Sequence, residues 1–179
     1  MKKKNSAALR LSAWASLCAL LLAATAREAS AQRRAPRFED YPVREIYRGG
    51  GARLRLTAGD RAFRTRLREA AKRRPNFAGR YVLTAWGCGA GCQTGAVIDA
   101  RTGRVHWLPH EATLDYDAGL DFEPIRFRLD SRLILIFGAR DDAPDIDADF
   151  GTHYYVFERG RFRQVFFAHK LPHEEGRAR

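Results

Sequence analysis

Cys88 and Cys92 are the residues of this chain whose type and spacing most directly imply chemistry, set in Trp86-Gly-Cys88-Gly-Ala-Gly-Cys92. The chain holds three cysteines, the third being Cys18 in a leucine-rich N-terminal run. A thiol pair can be a disulfide, a redox couple or part of a metal site. Redox couples of the familiar kind place two residues between the cysteines, near a βαβ unit. Here three intervene, and no such unit surrounds them. A zinc site would need two further ligands from elsewhere. The spacing reads as a structural disulfide, with Gly87, Gly89 and Gly91 letting the backbone turn sharply beside it. The loop it closes is short, so its main effect is to pin a turn.

Two other groupings could hold a cation. Asp145, Asp147 and Asp149 alternate as in the opening of a calcium loop, which gathers several carboxylate oxygens. The match then fails: Phe150 stands where that loop needs glycine, and Val156 where it needs a bidentate glutamate. The segment reads as a solvated acidic loop, with calcium as the lesser alternative. The histidines form an echo, His106-Trp-Leu-Pro-His110-Glu111 against His169-Lys-Leu-Pro-His173-Glu174. Four imidazoles suit zinc, nickel or copper. Residues four apart on a strand lie about 13 Å apart, however, so neither motif chelates alone unless Pro109 or Pro172 bends the chain. A common strand-exit pattern explains the echo equally well.

Nucleophilic catalysis finds no candidate. Beyond residue 31 the sole serine is Ser131, in an Asp-Ser-Arg turn with no nucleophile-elbow motif. No phosphate-cradling or dinucleotide fingerprint occurs. The reading leans away from an enzyme and expects no cofactor, with calcium or zinc as the exception.

The N-terminus bears on which residues count. Lys2, Lys3, Lys4 and Arg10 precede an apolar stretch from Leu11 to Thr25, followed by Ala29-Ser30-Ala31 before Gln32. That is the pattern of a signal peptide, residues 1–31, cleaved near Ala31/Gln32. The apolar run is short for a membrane span, which needs about 20 residues. Anchoring through Cys18 is the lesser alternative, because that cysteine sits within the run. The expectation is a periplasmic or secreted protein with one domain and no transmembrane span, in a compartment where Cys88 and Cys92 pair.

Charge is unevenly distributed along the chain, whose formal net charge is +11. Residues 32–80 carry 15 Lys/Arg against 5 Asp/Glu, and residues 81–179 carry 12 against 15. Such asymmetry can mark an anionic partner. Beyond residue 31 nearly every base is arginine, Lys72 and Lys170 excepted, which also fits compositional bias and a solvated basic face.

The elements that must position these groups are mostly strands. Residues 32–56 form an extended lead-in. Thr57-Ala-Gly-Asp60 resembles a capping box, and a helix over 57–74 ends at Pro75. On it Phe63, Leu67, Ala70 and Ala71 share one face, and Arg61, Arg64, Arg68 and Lys72 make a basic ridge on the other. Seven short runs then read as strands: 81–86, 95–99, 104–108, 125–129, 133–138, 153–158 and 162–167. Tight turns join several of them, implying an antiparallel meander. Two segments, beginning at Tyr81 and Leu133, share a strand, loop, strand, Gly-Arg turn, strand rhythm like a propeller blade. Two units are too few for a closed propeller, so a two-sheet or barrel-like domain over 57–170 follows, with a tail at 171–179.

Four stretches carry a resemblance: Phe63-Arg-Thr-Arg-Leu-Arg-Glu-Ala-Ala71, Pro75-Asn-Phe-Ala-Gly-Arg-Tyr81, Trp86 to Cys92, and Val97-Ile-Asp-Ala-Arg-Thr-Gly-Arg104. Together they resemble a family of exported bacterial proteins without an assigned activity, over roughly residues 60–165. The resemblance implies export, a β-rich fold and the cysteine pair. The combined expectation is a non-catalytic binding protein that recognises an anionic envelope polymer, a lipid surface or another exported protein, rather than nucleic acid. Its contact face would be the ridge of Arg61, Arg64, Arg68 and Lys72, with Trp86 and Gln93 at the stapled turn as a second corner. The alternative is a metal-binding protein or metal-dependent enzyme using His106, His110, His169 and His173, or Asp145, Asp147 and Asp149.

Overall fold

The structure, a computed structural model, describes residues 34–115 and 122–169. The expected signal peptide with Cys18, the tail at 171–179 and His173 lie outside the described residues. The compact unit that carries the strands begins at Pro36.

The chain is mostly β, as its alternating and apolar runs predict. Strands β1 (Tyr81–Gly89), β2 (Cys92–Asp99), β3 (Val105–Trp107) and β4 (Ala112–Thr113) form one sheet. Strands β5 (Ile125–Phe127), β6 (Leu133–Gly138), β7 (Gly151–Glu158) and β8 (Arg161–Ala168) form a second, in sequence order. All pairings within the sheets are antiparallel. Of the two arrangements expected, the two-sheet one is found; among the described residues neither sheet closes into a barrel. An eighth strand, β4, joins the seven expected. It pairs with the start of β2 through Cys92↔Thr113 and Gln93↔Ala112, while β3 pairs with the end of β2. Leu108 still donates to Gly95 of β2 (3.1 Å), and Pro109 to Glu111 then leave the sheet edge between two paired stretches.

The helix is shorter than the periodicity implies. Gly59–Phe63 is a 3-10 turn, and the α-helix, α1, runs only over Arg64–Ala71. Asp60 is the reason the entrance tightens. Its buried carboxylate accepts hydrogen bonds from the Thr57 amide (2.6 Å) and hydroxyl (2.8 Å) and from the Trp107 indole (2.9 Å). Burial pushes this carboxyl up, but those three donors hold it below the ordinary aspartate range.

Two apolar clusters define the layers. One fills the space between the sheets: Leu83 and Val97 from the first sheet meet Ile134, Ile136, Tyr155 and Phe157 from the second. The other lies on the opposite face of the first sheet, where Val82, Trp86, Ala96 and Ile98 pack on Leu67 and Ala70 of α1. The alternation of side chains along β1 places neighbours Val82 and Leu83 in different clusters. The order of layers is thus helix, first sheet, second sheet.

Candidate anion-binding cleft

Two hairpin turns and the segment before them build a cleft rich in arginine. Asp99 ends β2 opposite Tyr81, the first residue of β1. Its Oδ1 accepts from the Arg101 amide (2.8 Å) and its backbone carbonyl from Gly103 (2.8 Å), so Ala100–Gly103 folds into a tight turn that projects Arg101 and places Arg104 beside it. The β7–β8 connection is the two-residue Arg159-Gly160, both with positive φ (52° and 78°), as a primed hairpin turn requires. A side chain at position 160 would meet the His106 ring at 2.6 Å, so only glycine fits there.

Around these turns two adjoining cavities, of about 580 and 360 Å³, share Arg80, Tyr81, Arg101 and Arg159. Seven arginines line the pair of cavities against three carboxylates. Arg80 pairs with Asp99 (3.2 Å), Arg101 with Glu45 (3.4 Å) and Arg132 with Glu158. Among the described residues Arg44, Arg55, Arg104 and Arg159 have no carboxylate within ion-pair distance. Two of the arginines also lie against aromatic rings. Arg80 lies over the Tyr81 ring (4.9 Å) and donates to its hydroxyl (2.8 Å), and Arg101 lies over Tyr47 (5.1 Å). Among the described residues the buried Nε of Arg80 has no partner. Burial holds the His106 imidazole below its usual range, so it adds no charge at neutral pH. Four of the seven guanidiniums therefore present forked donors that no carboxylate of the described residues occupies.

The residues singled out from sequence go to several places. Arg61, Arg64, Arg68 and Lys72 are exposed, and Lys72 pairs with Glu69 at 2.7 Å. Trp86 is buried against Phe63 and Trp107, with ring centroids at 5.4 and 5.8 Å. Trp86 lines one cavity and Gln93 another. The sulfurs of Cys88 and Cys92 lie at disulfide distance, with Cα atoms 5.4 Å apart.

Among the described residues His106, His110 and His169 do not fall into one group of metal donors. His106 packs on Phe157 (5.5 Å), whereas His110, carried off the sheet edge by the excursion after β3, packs on His153 (4.8 Å). His169 is exposed beside Phe167. His110 is buried, its Nδ1 donates to the Glu111 carbonyl (2.9 Å), and burial lowers its pKa to about 4. His153, whose place deep in β7 its sequence context conceals, donates through Nε2 to the Asp149 carbonyl (2.9 Å) and accepts from Gln164 through Nδ1 (3.2 Å).

Two of the three aspartates are held by protein donors. Asp145 caps a one-turn helix, α2 (Ile146–Asp149), by accepting from Ala148 (3.1 Å). Asp149 is bound by Arg140, whose guanidinium (2.9 Å) and amide (2.8 Å) hold its pKa down to about 2. Among the described residues the group of donors close enough to share a metal is a different one: Cys88, Cys92 and Glu111.

Compared with known proteins, the chain matches no family model, no curated protein and no solved structure.

Proposed function

We propose that this is an exported, non-catalytic binding protein that captures an anionic envelope polymer in the arginine cleft. The observation that supports the reading is the excess of arginine there: four guanidiniums without carboxylate partners face two joined cavities. The two sheets read as two blade-like units, and the corresponding strand turns of both, Ala100–Gly103 and Arg159-Gly160, deliver arginines to the same cleft. The basic ridge of α1 becomes a secondary, more weakly structured contact, since its side chains are solvated and one is already paired. Among the described residues no helix is long and apolar enough to cross a membrane.

The test is titration with long-chain polyphosphate, followed by fluorescence anisotropy at two ionic strengths. Arg104→Ser combined with Arg159→Asn, the latter chosen because asparagine tolerates positive φ, should weaken binding about tenfold or more. Arg64→Ser with Arg68→Ser should change it far less. The reverse ranking would return the function to the helix ridge, and salt-insensitive or absent binding by the unaltered protein would end the reading.

A further inference from the structure

Glu111 presents a carboxylate to the cysteine pair, and we propose that Cys88, Cys92 and Glu111 form a zinc site opened by reduction of the disulfide. One donor atom from each of the three lies within 4.8 Å of the others. The two sulfurs are bonded to each other here; reduction frees them to separate around one tetrahedral ion with Zn–S near ~2.3 Å and Zn–O near ~2.0–2.2 Å, the Glu111 carboxylate already lying beside them. The carboxylate of Glu111 has no ion pair or side-chain hydrogen bond among the described residues, although the residue's backbone is firmly held. Its carbonyl accepts from the His110 ring (2.9 Å) and sits where a side chain on Gly138 would strike it, and β4 begins at the next residue. On the other side, the register shift between Gly87 and Gly89 sets Cys88 in a bulge, and Gly91 (φ 74°) closes the turn to Cys92. Both arms of the site are therefore fixed by backbone geometry rather than by the S–S bond alone.

Access and ligand chemistry fit the same reading. Cys88 and Glu111 are exposed and Cys92 is half-buried, so a reductant can reach the sulfurs. A dithiol reductant attacks one sulfur of the pair, forms a mixed disulfide, and resolves it with its second thiol. The Cys88–Cys92 bond takes up two electrons, the dithiol is oxidised to a disulfide, and two protein thiols result. Zinc then displaces the two thiol protons and takes two thiolates and the carboxylate. Two thiolates alone would suit copper(I) as well; the hard oxygen of Glu111 favours zinc. Three protein ligands leave a fourth position open, and a cavity of about 440 Å³, lined by Cys88 and Glu111 together with Arg66 and Trp107, adjoins it. That is the arrangement of a site that admits an exogenous donor rather than a closed structural one.

The experiment compares zinc binding by the whole purified chain, oxidised and dithiol-reduced, using calorimetry and cobalt(II) substitution. The reduced protein should bind one ion per chain with a thiolate-to-cobalt charge-transfer band, and the oxidised protein none. Cys88→Ser should remove the site. Glu111→Gln, an exposed substitution expected to leave the circular dichroism spectrum unchanged, should weaken zinc by at least the ~10–100-fold typical of lost supporting groups. Absence of stoichiometric zinc in the reduced protein, equal binding in both redox states, or unchanged affinity in Glu111→Gln would each overturn the proposal. Should Cys88→Ser fail to fold, the redox comparison and Glu111→Gln still decide it.

Discussion

The Trp107 indole donates to Asp60 at 2.9 Å, which ties the entrance of the helix to strand β3 across 47 residues of sequence. The same carboxylate receives both donors of Thr57. One buried group therefore ends the lead-in, starts the 3-10 turn and docks α1 on the first sheet. Asp60→Ala removes all three bonds and leaves the Trp107 N–H without its acceptor, so it should destabilise the protein by about 1–3 kcal/mol in urea unfolding. A double-mutant cycle with Trp107→Phe should show coupling of at least about 0.5 kcal/mol. Strict additivity would mean that the bond contributes nothing between the two elements.

Helix docking itself rests on Leu67, which is fully buried, and Ala70. Leu67→Ala should cost about 2–5 kcal/mol, while Arg64→Ser on the solvated side should change stability by less than about 0.5 kcal/mol. Chemical denaturation of the two variants checks this contrast, and equal effects would show that the helix is not held by its apolar face.

The fold was legible where local pattern decides it. The seven expected strands are found because β-branched and aromatic runs end at glycine-containing turns such as Ala100–Gly103 and Arg159-Gly160. β4 was not, because two residues carry no period, and Ala112–Thr113 pair only because β2 extends beyond β3. The helix looked longer than it is because apolar spacing does not distinguish 3-10 from α geometry over one turn. The cysteine pair was visible from spacing, whereas Glu111 approaches it only through the excursion that follows Trp107. The cleft arginines lie between positions 44 and 159, and no sequence pattern links them until two turns of different sheets meet. His153 was hidden for the same reason: its partner His110 arrives from the other sheet.

Gly160 tests how closely those turns are fitted. With φ at 78° and the His106 ring in the way, Gly160→Ala should cost about 1–3 kcal/mol and displace the imidazole. Arg159→Gly, at φ 52°, should leave stability unchanged or slightly raised while still weakening polyphosphate binding. Thermal melts beside the binding assay separate the two effects, and a stability loss in Arg159→Gly would contradict the turn assignment.

Acid should weaken this protein over two successive pH ranges. His110 and His153 are buried together, near Tyr155 and with Asp141, Asp149 and Arg140 as the charges around them. Burial is the main cause that lowers both imidazoles, to about 4 for His110. The unfolded chain, with ordinary histidines near 6.5, then binds more protons than the native state below that pH. Stability is full above about pH 6.5 and falls toward pH 4, by about 3 kcal/mol for His110 alone. Asp149 adds the second range. Arg140 holds its pKa down to about 2, so the stability it contributes is present above the ordinary aspartate value near 3.8 and is lost between there and pH 2. Urea unfolding from pH 8 to pH 4 should show the first slope, and His110→Phe should flatten it even where it lowers stability at neutral pH. An unchanged slope in that variant would assign the acid sensitivity to other groups.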